Sequence, residues 1–175
     1  HSMGGLVALC YAEMGTNQGN LIALVASGSA LRVHLDLVME AKKFVGKFLA
    51  AALPEVTVPA GLNVADLSHD LEVVETYKTD SLVHGEISMS LGKILLEIGE
   101  PCIESADVIR VPTYIFHGQE DKIADPSGSQ AFYNNLVISD KKIHIYENLF
   151  HETMNEHPKD RDRVLSDLRS WLERH

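Results

Sequence analysis

The chain has 175 residues, 45% of them hydrophobic and 23% charged, with a formal net charge of −10. That is enough apolar material for one core, and it argues against a disordered chain. The acidic balance argues against nucleic acid as a partner, because phosphate neutralisation needs clustered basic residues. The densest basic pairs are only Lys42-Lys43 and Lys141-Lys142. No apolar run reaches the roughly 18 residues that would span a bilayer. Two cysteines, Cys10 and Cys102, give no disulfide framework, and Cys10 reads as a small buried hydrophobe in the first helix.

The chain opens His1-Ser2-Met3-Gly4-Gly5. A serine followed by this pattern sits on a strained turn between a strand and a helix, its hydroxyl pushed out above the sheet. Residues 3–14 read as a helix, with Leu6, Val7, Leu9 and Cys10 as its apolar face and Gly15 as its stop. Gly4 and Gly5 are expected to permit close packing under the turn. The apolar run 21–26, closed by Ser27-Gly28-Ser29, reads as a strand buried on both faces.

Residues 31–109 change character. Met39–Leu53 carries Phe44, Val45, Phe48, Leu49 and Leu53 on one stripe, and Pro54 and Pro59 break it. A short helix is expected within Asp66–Asp80, with Ser68 or Asp70 as N-cap, and another over Glu86–Gly99. A mostly helical insertion between two strands fits a cap over a site; the alternative is a set of helices packed on the sheet.

Strand character returns at Thr113-Tyr114-Ile115-Phe116, running into His117-Gly118. Asp125-Pro126 reads as an N-cap with proline at the first helical position. Lys142–Tyr146 alternates as an outer strand would, and a last helix near Asp160–Arg174 presents Val164, Leu165, Leu168, Trp171 and Leu172 on one face. The order is α/β with a mainly parallel sheet. Residues 1–30 and 110–175 form the core, and residues 31–109 form the insertion.

Acyl transfer by a serine needs an imidazole to move its proton and a carboxylate to hold that imidazole in the right tautomer. Asp121 lies just past one predicted strand and His151 just past the next, so Ser2, Asp121 and His151 come in the order serine, acid, histidine on separate loops, each at the carboxyl end of a strand. Asp125 is the rival acid, but it has a capping role, and Asp107 precedes the strand. Among the histidines, His144 and His157 read as surface or capping residues. His84 is a loop histidine that could line a pocket, and His117 supports the acid loop.

Five segments carry a resemblance. They are the opening pentapeptide, Asp66–Val74, Asp80–His84, Val111-Pro112 with His117–Asp121, and His151–Glu156. Together they resemble the monoacylglycerol lipase and lysophospholipase branch of the α/β-hydrolases over nearly the whole chain. The resemblance implies the later part of that fold, a Ser2–Asp121–His151 triad and a helical cap at 31–109. It also implies hydrolysis of a small lipid ester to a fatty acid and an alcohol, without metal or organic cofactor. The oxyanion would be held by the Met3 backbone N–H and a second N–H from a loop after an early strand.

Phe44, Phe48, Leu49, Ile87 and Leu91 are candidates for the acyl wall, or else ordinary contacts between cap helices. Two prolines usual in the family are replaced, by Leu71 and Ser81, and residues 83–87 look one residue short, which bears on acyl and head-group preference. The expected setting is cytoplasmic or peripheral, with transient contact between the cap and a membrane surface. A nucleophile at the second position, in a chain without initiator Met, is expected to belong to a longer protein. The second oxyanion donor would then lie upstream, and this chain by itself is expected to have little esterase activity. Alternatives are a short-chain carboxylesterase or amidase of the same fold, or an inactive remnant.

Overall fold

The computed structural model describes residues 1–34 and 53–175. The expected Met39–Leu53 helix, with Phe44, Phe48 and Leu49, falls almost wholly outside the described residues.

Helix α1 (Ser2–Glu13) buries Gly5, Leu6, Leu9 and Ala12, one stripe at helical spacing. Val7 faces outward at 60% exposure, so the stripe is rotated from the expected one. Gly5, not Gly4, is the close-packed glycine: a Cβ on Gly5 would lie 2.5 Å from Ser29 Oγ, whereas Gly4 has nothing within 4 Å.

Strand β1 (Leu24–Ser27) starts later than the apolar run suggested, and Ile22 stands 81% exposed. The residues before it form a 3-10 turn, Gly15–Asn20, and pairing begins only where Leu24 N–H donates to the Pro112 carbonyl. β1 runs parallel to β4 (Thr113–Gly118), in register from Leu24 opposite Thr113 to Ser27 opposite Phe116. On its other side β4 runs parallel to β5 (Lys141–Tyr146). The sheet order among the described residues is therefore β1-β4-β5, with every residue of β4 buried.

Among its described residues, the expected insertion is less purely helical than its sequence implied. A short antiparallel ribbon joins β2 (Thr57–Pro59) to β3 (Glu86–Ser88), with Val58 opposite Ile87. Ile87 thus lies in a strand, and the expected Glu86–Gly99 helix starts only at Met89. The reason is Ser88, which caps α3 (Met89–Glu97) by accepting the Leu91 N–H. Helix α2 (Leu71–Thr79) is capped by Asp70, while Ser68 is engaged elsewhere. Helix α4 (Gly99–Glu104) then returns the chain to the sheet.

Helix α5 (Pro126–Asn135) begins as anticipated, with the Asp125 side chain accepting the Ser127 N–H. Helix α6 (Pro158–Leu172) closes the chain. Period-two alternation along β4 sends Ile115 to one face and Tyr114 and Phe116 to the other. The first face packs Leu6, Leu9, Ile103, Ile109, Phe132 and their neighbours from α1, α4 and α5. The second packs Tyr114, Phe116, Tyr146 and Leu149 against Val164 and Trp171 of α6. Leu165 and Leu172 lie outside this contact at 41% and 48% exposure. Helices on both faces of a parallel sheet leave its carboxyl edge as the natural place for a site.

Candidate active site

Ser2 opens α1 with φ +51°, a left-handed conformation that costs a non-glycine residue about 1–3 kcal/mol. The neighbouring backbone holds it there: Gly5 N–H donates to the His1 carbonyl, and Ala30 N–H to the Ser2 carbonyl. Its Oγ lies 3.0 Å from His151 Nε2. His151 Nδ1 lies 2.6 Å from Asp121 Oδ2. The three residues singled out from the sequence are thus brought together, from the start of α1 and from the loops after β4 and β5.

The carboxyl of Asp121 is saturated. Oδ1 accepts the N–H groups of Ile123 and Ala124, and Oδ2 accepts from His151 and from His117 Nε2 at 2.9 Å. Burial pushes its pKa up, but hydrogen bonds from His117 and His151 outweigh that and hold it well below the ordinary carboxylate range. An ionised Asp121 fixes the tautomer: Nδ1 of His151 carries the proton and donates it, leaving the Nε2 lone pair to accept the Ser2 hydroxyl.

His117 is itself fully buried. Its Nε2–H is shared between Asp121 Oδ2 and the Ala124 carbonyl, and its Nδ1 lies 2.8 Å from Ser129 Oγ on α5. The two loops also touch directly. A Cβ on Gly118 would fall 2.1 Å from the Phe150 carbonyl oxygen and 2.4 Å from that of Leu149, so only glycine lets the His151 loop cross the end of β4.

The other candidates lie elsewhere. Asp125 is a cap and Asp107 sits in a short 3-10 turn ahead of β4. His144 stacks on Tyr146 and faces Asp167 at 3.1 Å; His84 is exposed in the insertion. His157 heads α6 without a side-chain capping bond and lies 3.7 Å from Asp70. Met3 is in the first turn of α1, where backbone N–H groups have no acceptor within the helix. Ile87 and Leu91 are half-buried in the insertion, on β3 and in the first turn of α3.

Several residues here were not assigned a role from the sequence. His1 bridges Ser27 Oγ (3.0 Å) and Glu152 Oε1 (2.9 Å), with its ring 4.8 Å from that of His151. Burial raises the Glu152 pKa, but the hydrogen bond from His1 leads a set of contacts that lower it overall. Glu156, buried at 2% exposure, accepts from Phe150, His69 and Ser68. Two of the segments that carry the resemblance, Asp66–Val74 and His151–Glu156, are bonded to each other through these contacts.

Two groups bring metal-ligating atoms within 4.8 Å of one another among the described residues: His1, His151 and Glu152, and Cys10, Glu13 and Cys102. The donor atoms of the first are already engaged in the hydrogen bonds above. In the second, burial pushes both thiols and the Glu13 carboxyl up, favouring their protonated, non-ligating forms.

Residues 1–158 match the family model described as serine aminopeptidase, S33. The chain belongs to that family. It lies in the monoacylglycerol lipase branch of the α/β-hydrolases. A monoacylglycerol lipase of Mycolicibacterium smegmatis is 31% identical over the whole chain, which covers 61% of that relative. Phospholipase YtpA of Bacillus subtilis is 25% identical, again over the whole chain, and is covered to 66%. The crystal structure of Paleococcus ferrophilus monoacylglycerol lipase superimposes with a TM-score of 0.89 at 27% identity, covering 100% of this chain and 67% of that one. The chain therefore spans about three-fifths of the first relative's length. Among the described residues no helix is long and apolar enough to cross a membrane.

Proposed function

We propose that the protein is a serine hydrolase that cleaves a carboxylic ester of a lipid, a monoacylglycerol or a lysophospholipid, through Ser2, His151 and Asp121. The observation that carries this reading is the unbroken hydrogen-bond line from Ser2 Oγ through the His151 ring to a buried, ionised Asp121. His151 Nε2 takes the Ser2 proton as Oγ attacks the ester carbonyl, and Asp121 stabilises the resulting imidazolium. The Met3 N–H faces the oxyanion, and each such donor is worth on the order of 3–4 kcal/mol. Collapse expels the alcohol with the proton from His151 and leaves an acyl-Ser2. Water, deprotonated by the same nitrogen, then releases the fatty acid and restores the hydroxyl.

No step needs a metal or organic cofactor. The lipid preference draws on the names of the relatives, and on an insertion that presents Leu71 and Leu82 at 79% and 88% exposure. Such side chains suit a transient contact with a lipid surface. Ile87 and Leu91, with Phe44, Phe48 and Leu49 outside the described residues, are proposed to wall the acyl chain. The family description names an aminopeptidase, which makes amides and peptides the second reading. An acyl-length series of monoacylglycerols run beside aminoacyl anilides decides between them. Hydrolysis of long-chain glycerides with negligible anilide turnover is expected; the reverse order would overturn the lipid assignment.

A further inference from the structure

One flank of His151 is bonded directly to a short segment ahead of α2, and the other to Glu156, whose carboxyl is bonded to the same segment. On one side Phe150 N–H donates to Glu156 Oε1 at 2.8 Å; on the other Glu152 N–H donates to the Leu67 carbonyl at 2.8 Å. Glu156 Oε1 also accepts from His69 Nδ1 at 3.0 Å, and Oε2 accepts the His69 backbone N–H at 2.9 Å. Ser68 Oγ lies 3.2 Å from the same Oε2, its single proton shared with the Asn155 carbonyl at 2.9 Å. The His69 ring stacks on Phe150 with centroids 3.7 Å apart. The carboxyl of Glu156 thus gathers donors from residues 68, 69 and 150 with its side chain only 1% exposed.

Burying an acidic side chain is costly unless each oxygen is satisfied, and an apolar residue would fill the same volume at lower cost. What an apolar residue could not do is fix the Phe150 amide and the His69 amide to one rigid planar group. The neighbouring Asp70–His157 pair, at 3.7 Å and more open to water, adds little.

We propose that Glu156 is a positioning residue for His151. Its carboxylate joins the segment 67–69 to the loop 150–152 and so sets the 3.0 Å and 2.6 Å contacts of the imidazole with Ser2 and Asp121. Because Asp70, directly after this segment, caps α2, the same clamp links the base of the insertion to the triad histidine. The proposal rests on reading Ser2, His151 and Asp121 as the reacting groups.

Glu156→Gln keeps the volume but turns one acceptor oxygen into a donor that opposes an N–H. Its kcat should fall about tenfold to a hundredfold, the cost of a small misplacement of a reacting group, with KM little changed. In the proton NMR spectrum the far-downfield signal of the His151 Nδ1–H bonded to Asp121 should shift or broaden, while the melt stays cooperative. His69→Phe retains the stack on Phe150, loses one bond to Glu156, and should reproduce a smaller kcat loss of the same kind; it carries the test if Glu156→Gln does not fold. Unchanged kcat and an unmoved Nδ1–H signal would overturn the proposal, as would a rise in KM alone. If the unaltered protein shows no serine reactivity, the reading of Ser2 fails; the Nδ1–H signal still reports separately on whether Glu156 places the ring.

Discussion

At the carboxyl ends of β4 and β5, Asp121 and His151 are each 3% exposed, and every polar side-chain atom they carry has a hydrogen-bond partner. In the insertion, α2 buries only Val74, α3 buries no residue fully, and Leu71 and Leu82 stand mostly in water. The contrast separates two tasks. Bonds must be made and broken at fixed distances, so the strand-end loops are over-determined by buried contacts. Under the proposed lipid reading, contact with a variable apolar substrate needs surface rather than precision, and the exposed leucines Leu71 and Leu82 are placed to supply it. The segment 67–69 belongs to both, since it leads through Asp70 into α2 and grips the His151 loop.

The comparison breaks most sharply at Ser2. Ser2→Ala should reduce ester turnover by about 10⁴-fold or more while leaving the melting temperature within a few degrees, because the side chain is small and its loss opens no core. Residual turnover near the unaltered rate would place the chemistry elsewhere. Next comes Gly118→Ala, whose new methyl would meet two carbonyl oxygens of the His151 loop at 2.1 and 2.4 Å. Overpacking of this kind costs about 1–3 kcal/mol or more, so both stability and activity should fall together in a thermal melt and an ester assay.

A pH series sharpens the electrostatic side. The Asp121 pKa is lower in the folded protein than in the unfolded chain. Its stabilising contribution is therefore fully present above the ordinary value of about 3.9 and is lost progressively as pH falls below it. Asp121→Asn should flatten the acid limb of a plot of melting temperature against pH; an unchanged slope would contradict the assignment. The smallest effect belongs to the insertion. Leu71 is the first residue of α2, and Asp70 before it has an extended backbone (φ −77°, ψ 107°), so proline fits both positions. Leu71→Pro should stabilise the fold by about 0.4–1 kcal/mol, read as a raised urea midpoint.

The core was legible because its signals are local and redundant. Asp125-Pro126 announces a helix start whatever packs against it, and Thr113–Gly118 carries an apolar run that only a central strand accommodates. Where the reading slipped, a competing hydrogen bond or a rotation decided. Ser88 diverted Glu86–Ser88 into a strand by capping α3, Gly4 and Val7 turned to solvent, and Leu165 and Leu172 sit at the margin of α6. Ser2, Asp121 and His151 could be named from their order at strand ends. Glu156 could not, because its partners Ser68 and His69 lie nearly ninety residues away and no periodicity marks a buried acid in a loop. His1 was hidden for a similar reason: its bond to Glu152 spans 151 positions.

Ser2 is proposed as the residue made nucleophilic by His151. Labelling with a fluorophosphonate, followed by peptide mapping, tests this directly. A single adduct on Ser2, abolished by Ser2→Ala and strongly slowed by His151→Ala, is the predicted result. An adduct on any other serine, or one on Ser2 that forms at the same rate without His151, would contradict it.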